Sequence, residues 1–281
     1  MVDQQDLFPT QVLPDVGGNK TILVGTSGYI FPDWRGNFYP EKLPQKRWLE
    51  FYAEHFSTVE INATYYRLPP RSTFESMVQR TPTGYPFWVK VPGEITHHNG
   101  DILQTMELFK QSITPLNESG RLAGVLAQFP FSFRPTTANF ELLGHLRVLT
   151  EPVPLAVEIR HHAWQTSECA GFLRREAITN VISDLPDLPG LPAPDLLVTS
   201  KIAYIRLHGR NRLTWNNPEK GDRYDYHYST TELAEWLPKL KALQKMSEST
   251  FIFFNNCHMG QAVRNAKMLK SLLCDQFGTI N

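Results

Sequence analysis

Three pairs of polar residues, each two positions apart in an apolar run, carry the chemistry this chain can offer: Glu60 with Asn62, Glu158 with Arg160, and Arg206 with His208. Residues i and i+2 of a strand share a face, so each pair presents two functional groups to the same side. Lys90 stands in a further apolar run, 87–91 (FWVKV). Two carboxylates set among cations suit general acid and base catalysis, when burial raises one pKa and a neighbouring guanidinium lowers the other. Glu60 and Glu158 are the candidate acid and base, with His208 as a third proton-carrying group. A structural reading competes with this one. Glu60, Lys90, Glu158 and Arg206, joined by Arg160 and Asp184, balance in charge, and buried charges must be paired or cost several kcal/mol each. They would then form an ion-pair network closing one end of the fold.

The elements that must position these residues are short. Apolar, β-rich runs fall at 21–25 (TILVG), 58–62 (TVEIN), 87–91, 123–129 (AGVLAQF), 155–159 (LAVEI), 180–183 (NVIS), 203–207 (AYIRL) and 251–255 (FIFFN). Helical stretches are expected at 45–55, 72–80, 101–115, 136–149, 165–176, 230–246 and 260–274, with Asp101 and Thr230 as plausible N-caps. The Pro-rich stretch after the sixth run, LPDLPGLPAPD, is too broken for a full helix. Alternation repeated over about 250 residues predicts an α/β fold, a single-domain (β/α)8 TIM barrel spanning 21–281. An open doubly wound sheet fits less well, because the first run enters GTSGY and not a GxGxxG fingerprint.

In such a barrel the βα loops converge at the carboxyl ends of the strands, and all eight exits are polar. They supply Tyr29 after the first strand, Asn62 and Tyr65 after the second, Lys90 and His97 at the third, and Gln128 at the fourth. Arg160, Asp184, Arg206 with Arg210, and Asn255 with Asn256 complete the ring of candidate ligand-binding residues. The arginines offer planar forks for phosphate or carboxylate, and the amides offer neutral hydrogen bonds. Tyr29, Trp34, Tyr65, Tyr66 and Trp164 offer stacking surfaces, or simply pack the loops. The connection 209–229, with Arg210, Arg212, Arg223, Trp215 and Tyr224, is long enough to act as a lid over an anion bearing a planar group.

Composition narrows the classes. The 281 residues carry 28 Lys+Arg against 28 Asp+Glu, a net charge of zero, which opposes coating of nucleic acid or membranes by bulk electrostatics. Hydrophobic residues make up 41% and charged residues 20%, enough apolar matter for a full core. No segment approaches the roughly 18 apolar residues of a membrane helix, and the start MVDQQDLFPT lacks a signal-peptide pattern, so a cytoplasmic location is expected. Cys169, Cys257 and Cys274 have neither CxxC nor zinc-finger spacing.

Several segments together resemble the YecE-like proteins: GTSGY with Trp34 and FYP, FSTVEINATYYRLP, VKVPGEITHH, AQFP, VEIRHHAW, YIRLHGRNR and FFNNCHMGQAVRNA. The resemblance spans nearly all of residues 21–275 and implies a (β/α)8 barrel with a polar cavity. It brings no established reaction and no catalytic residues to carry over.

The function expected is therefore binding, and conversion if the site is catalytic, of an anionic or polyhydroxylated small molecule at the barrel mouth. A metal-dependent phosphodiesterase of the endonuclease-IV kind is the alternative, drawing ligands from Glu60, His97, His98, Glu158, Asp184, His208 and His258. The interleaved basic residues oppose it, because a cation site wants net negative charge. A Cys257 nucleophile and a non-catalytic binding module are further alternatives. Residues 1–20 read as a flexible arm, in which Gln4, Asp6, Leu7 and Phe8 look like the short peptide that docks bacterial proteins onto the DNA-polymerase sliding clamp. Folding of Leu7 and Phe8 back onto the barrel is the competing reading.

Overall fold

Eight strands run parallel around one sheet: β1 (Thr21–Thr26), β2 (Val59–Ile61), β3 (Phe87–Lys90), β4 (Leu122–Phe129), β5 (Leu155–Ile159), β6 (Thr179–Asp184), β7 (Ile202–Leu207) and β8 (Ser249–Phe254). The computed structural model describes residues 21–97, 101–217, 219 and 222–277. The arm with its clamp-like peptide, and His98, lie outside the described residues. Hydrogen-bonded neighbours follow the order β1-β8-β7-β6-β5-β4-β3-β2. Closure between β1 and β2 rests on an isolated parallel bridge, Ser27 to Glu60, and on the Gly28 N–H donating to the Glu60 carbonyl at 2.8 Å. Gly25 permits that approach, since a Cβ there would stand 2.1 Å from the Thr58 carbonyl oxygen.

The result is the (β/α)8 barrel expected from the alternation. The helices before β6 are α1 (Trp48–Ala53), α3 (Arg71–Gln79), α5 (Ile102–Glu118), α6 (Thr137–Thr150) and α7 (Ser167–Arg175), with the one-turn α2 (Ala63–Tyr66) and α4 (Gly93–Thr96) in the loops after β2 and β3. The chain from 185 to 201 forms no helix, as its prolines dictate. After β7 come α8 (Thr230–Ala234), α9 (Trp236–Met246) and, after β8, α10 (Gln261–Phe277). The single helix expected over 230–246 is thus divided, and Pro238 gives the reason: it has no N–H to donate to the Ala234 carbonyl. Asp101 caps α5 by accepting from the Gln104 N–H, as expected. The cap of α8 is Ser229 and not Thr230, in a capping box with Glu232.

Two apolar layers result from strand alternation. Outward residues such as Val24, Val89, Val157, Ile205 and Phe254 pack against the helices. Inward residues, among them Trp88, Leu126, Ala156, Val181, Tyr204, Phe251 and Phe253, fill the barrel. Trp88 and Tyr204 meet edge to face at 4.6 Å across its axis. Gly124 on β4 makes room for Trp88, because a Cβ there would fall 2.4 Å from the indole. Stepping two residues along each strand from this plug reaches Lys90, Gln128, Glu158, Ser183, Arg206 and Asn255, which form the layer beneath the mouth.

Candidate functional site

Arg206 sits at the centre of that layer. Its Nη2 donates to Glu60 Oε1 at 2.8 Å, and its Nη1 to Glu158 Oε2, so one guanidinium bridges the two carboxylates. Tyr204, one inward step below, donates its hydroxyl to Glu60 Oε2 at 2.5 Å. Arg160 Nε donates to Glu158 Oε1 at 2.8 Å. All of Glu60, Glu158, Arg206 and His208 are buried. Ions taken so far out of water stay charged only when paired in this way. Burial works to raise the Glu158 pKa, yet Arg206, His208 and Arg160 hold it well below the ordinary carboxylate value.

His208 completes the layer as a neutral ring. Burial outweighs the nearby Glu158 and lowers its pKa to about 4. Asn255 Nδ2 lies 2.9 Å from Nδ1 and donates to it, which leaves the ring proton on Nε2, 3.2 Å from Glu158 Oε1. Above His208 the rings of Tyr224 and Trp215 stand 6.1 and 6.3 Å away and roof the network.

Over this floor opens a cavity of about 560 Å³. Lys90, Gln128 and Arg160 face it from the strands; Tyr65, Tyr66 and His97 from the β2 and β3 loops; Trp215, Arg223 and Tyr224 from the long connection. Trp215 meets two guanidiniums, with Arg160 at 5.8 Å and Arg223 at 5.7 Å from its ring centre. Arg160 Nη2 also donates to the Tyr224 hydroxyl at 3.2 Å. The Lys90 ammonium lies 4.0 Å over the Tyr65 ring and donates to Gln128 Oε1 at 2.9 Å. Gln128 is itself oriented by its Nε2 donating to the Phe129 carbonyl. Desolvation and the charge of Arg206 bring the Lys90 pKa down to about 7.

Of the residues singled out in the sequence, Tyr65, Lys90, His97, Gln128 and Arg160 line this cavity. Glu60, Glu158, Arg206, His208 and Asn255 lie in the layer below it. Glu60 and Glu158, the expected acid and base, are both fully buried and are engaged by Arg206, Arg160 and the Tyr204 hydroxyl. Asn62 sits at the start of α2 with Oδ1 buried and unpaired among the described residues.

Seven residues expected at the site lie elsewhere. Asp184 faces outward, accepting both Arg210 Nε and Nη2 at 2.9 Å and the Trp236 indole N–H at 3.0 Å. Ser183 takes the inward place on β6, so Asp184 is one residue out of phase with the mouth. Arg210 is committed with it to Asp184 and Glu235. Asn256 is out of phase on the β8 exit in the same way, and binds the Tyr226 carbonyl and Asn265. Tyr29 lines a separate cleft with Lys46 and Arg80, its carbonyl accepting from the Tyr39 hydroxyl at 2.6 Å. Trp34 and Trp164 are buried packing residues, donating to the carbonyls of Cys257 and Phe133. Cys257 is a buried thiol whose pKa burial pushes up, the opposite of an activated nucleophile.

Sequence reasoning missed Phe131, Pro189, Leu191 and Asn216 as cavity residues. The signal for Pro189 and Leu191 was the Pro-rich stretch itself: a βα connection too broken for a helix is free to wrap over the mouth. Where it is described, the connection 209–229 lends Trp215, Asn216, Arg223 and Tyr224 to the cavity wall, with Trp215 and Tyr228 buried.

Fold and site together define a (β/α)8 barrel whose mouth is lined by cations and aromatic rings above a neutralised ionic layer. The chain belongs to the family described as "Protein of unknown function DUF72", whose model matches residues 23–280; this is consistent with the YecE-like resemblance. It is 30% identical over 269 residues to the UPF0759 protein YunF of Bacillus subtilis, covering 90% of this chain and 94% of that one. A DUF72 family protein of Thermotoga maritima has a similar structure, with TM-score 0.84, 42% identity, and coverage of 90% of this chain and 99% of the other. A DUF72 family protein of Enterococcus faecalis follows at TM-score 0.81 and 26% identity, covering 90% and 95%. No helix among the described residues is long and apolar enough to cross a membrane.

Proposed function

We propose that this protein binds an anionic small molecule, a carboxylate or phosphate on a planar or hydroxylated body, in the barrel mouth. One observation carries the reading: Lys90, Arg160 and Arg223 face the cavity, while the carboxylates beneath are already engaged by Arg206. No carboxylate is among the residues that line the cavity, so an incoming anion meets positive charge there, with Glu158 reaching only the Nε side of Arg160 from beneath. The aromatic rings of Tyr65, Trp215 and Tyr224 supply flat surfaces, and Gln128 a neutral hydrogen-bonding group. The phosphodiesterase alternative finds less support, because among the described residues no three His, Cys, Asp or Glu side chains converge to hold a metal ion.

The test is calorimetric titration of the purified protein with sugar phosphates, oxo acids and nucleoside monophosphates, against their neutral analogues. Anions are expected to bind and neutral analogues to fail. Arg223→Ala is expected to weaken binding about tenfold or more, the worth of one charge-assisted hydrogen bond. Equal binding of neutral and anionic members, or cleavage of DNA that depends on added divalent metal, would overturn the reading.

A further inference from the structure

The cavity holds an amine in a setting that differs from every other lysine described. Lys90 is 9% exposed at the cavity floor. Its ammonium donates to the neutral Gln128 amide oxygen at 2.9 Å, which the Phe129 carbonyl fixes in the orientation that faces Nζ. The Tyr65 ring covers a second side of the amine. The carboxylates that would ordinarily keep such a lysine protonated, Glu60 and Glu158, instead pair with Arg206 and Arg160. Burial and the Arg206 charge lower its pKa to about 7, so a substantial part of the population is an unprotonated amine near neutral pH. A desolvated lysine next to other cations is the standard activation of an amine for attack on a carbonyl.

We propose that Lys90 is a nucleophile that forms an iminium with a carbonyl compound bearing a carboxylate or phosphate. The inference rests on the anion-binding reading of the same cavity and names its substrate class: an oxo acid, or an aldehyde or ketone phosphate. Arg160 and Arg223 hold the anionic group, and the carbonyl carbon meets Nζ. The unprotonated amine forms the C–N bond as the carbonyl π bond breaks onto oxygen, and a proton passes from nitrogen to that oxygen. The resulting hydroxyl takes one proton from solvent and departs as water, leaving the nitrogen lone pair in the C=N bond. Ammonium plus carbonyl thus gives iminium plus water, with no oxidant or metal required. The positive charge stays where the ammonium stood, opposite the bound anion.

The experiment is reductive trapping on the intact protein at pH 7. Pyruvate, glyoxylate and glyceraldehyde 3-phosphate are the probes, borohydride is the reductant, and peptide mapping locates the adduct. Lactate, which lacks the carbonyl, and inorganic phosphate serve as reference anions whose binding is followed by calorimetry. A secondary-amine adduct confined to Lys90, formed with at least one probe and suppressed by phosphate, is the expected result. Lys90→Met and Lys90→Arg should both abolish it, and the arginine variant keeps the charge should the methionine variant fold poorly. No adduct with any probe while lactate or phosphate still binds would overturn the iminium and leave the anion reading standing. Adducts spread over surface lysines would overturn it equally, and absence of any anion binding would remove both.

Discussion

Arg206 and Glu158 form an ion pair in which neither side chain exposes more than 2% of its surface. The pair cannot lean on water, so its partners set its energetics. Glu158→Gln keeps shape and some hydrogen bonding but strands Arg206 and Arg160 without their shared countercharge. Loss of about 3–5 kcal/mol is expected, the range for breaking one side of a buried pair. Urea unfolding measures it. Glu158→Leu combined with Arg206→Met should not recover it, because the buried Glu60 then loses the guanidinium that bridges it and Arg160 still lacks its carboxylate.

Stability should rise with pH across two windows. The His208 pKa is lowered from 6.5 to about 4 in the folded protein, so between those values the unfolded chain binds the extra proton and stability falls as pH drops. The depressed Glu158 pKa adds a further loss as pH falls below its ordinary range. Lys90 has the same sign at higher pH: lowered from 10.5 to about 7, it makes stability climb between those values. Melting temperature against pH should show both slopes. Lys90→Met should flatten the upper one and leave the lower one in place.

Barrel closure places a strict demand on Gly25. Gly25→Ala should cost about 3 kcal/mol or more, because the obstructing atom is the Thr58 backbone oxygen at 2.1 Å and not a side chain that can swing away. Gly144, inside α6 with nothing near its would-be Cβ, is the matched control: Gly144→Ala should stabilise by about 0.5–1 kcal/mol through helix propensity. Thermal melts of the two variants decide the point.

Asp184 tests the separation of inward from outward residues. Asp184→Asn removes the buried one of the carboxylates around Arg210, leaving Glu232 and Glu235, and should lower stability by about 1–3 kcal/mol. Anion affinity of the folded variant should be unchanged, since Asp184 contacts α9 and not the mouth. A tenfold loss of affinity without loss of stability would contradict the outward placement.

The sequence by itself determined the strands, their parallel order and the end of the barrel where polar residues gather, because alternation of short apolar runs with helices admits few other folds. It also determined that Glu158 with Arg160 and Arg206 with His208 share a face, a consequence of the two-residue period that any strand obeys. The same period could have set Asp184 and Asn256 aside, had the phase of each strand been fixed from its apolar residues: Val181 leads inward to Ser183, and Phe253 to Asn255. What the tertiary structure alone decided is which charges pair. Glu60, Glu158 and Arg206 come from three strands separated by up to 146 positions, and only barrel closure brings them within hydrogen-bonding distance. That pairing withdraws both carboxylates from the cavity and leaves Lys90 facing it beside a neutral amide, because the free energy of a buried charge depends on neighbours that no local pattern specifies.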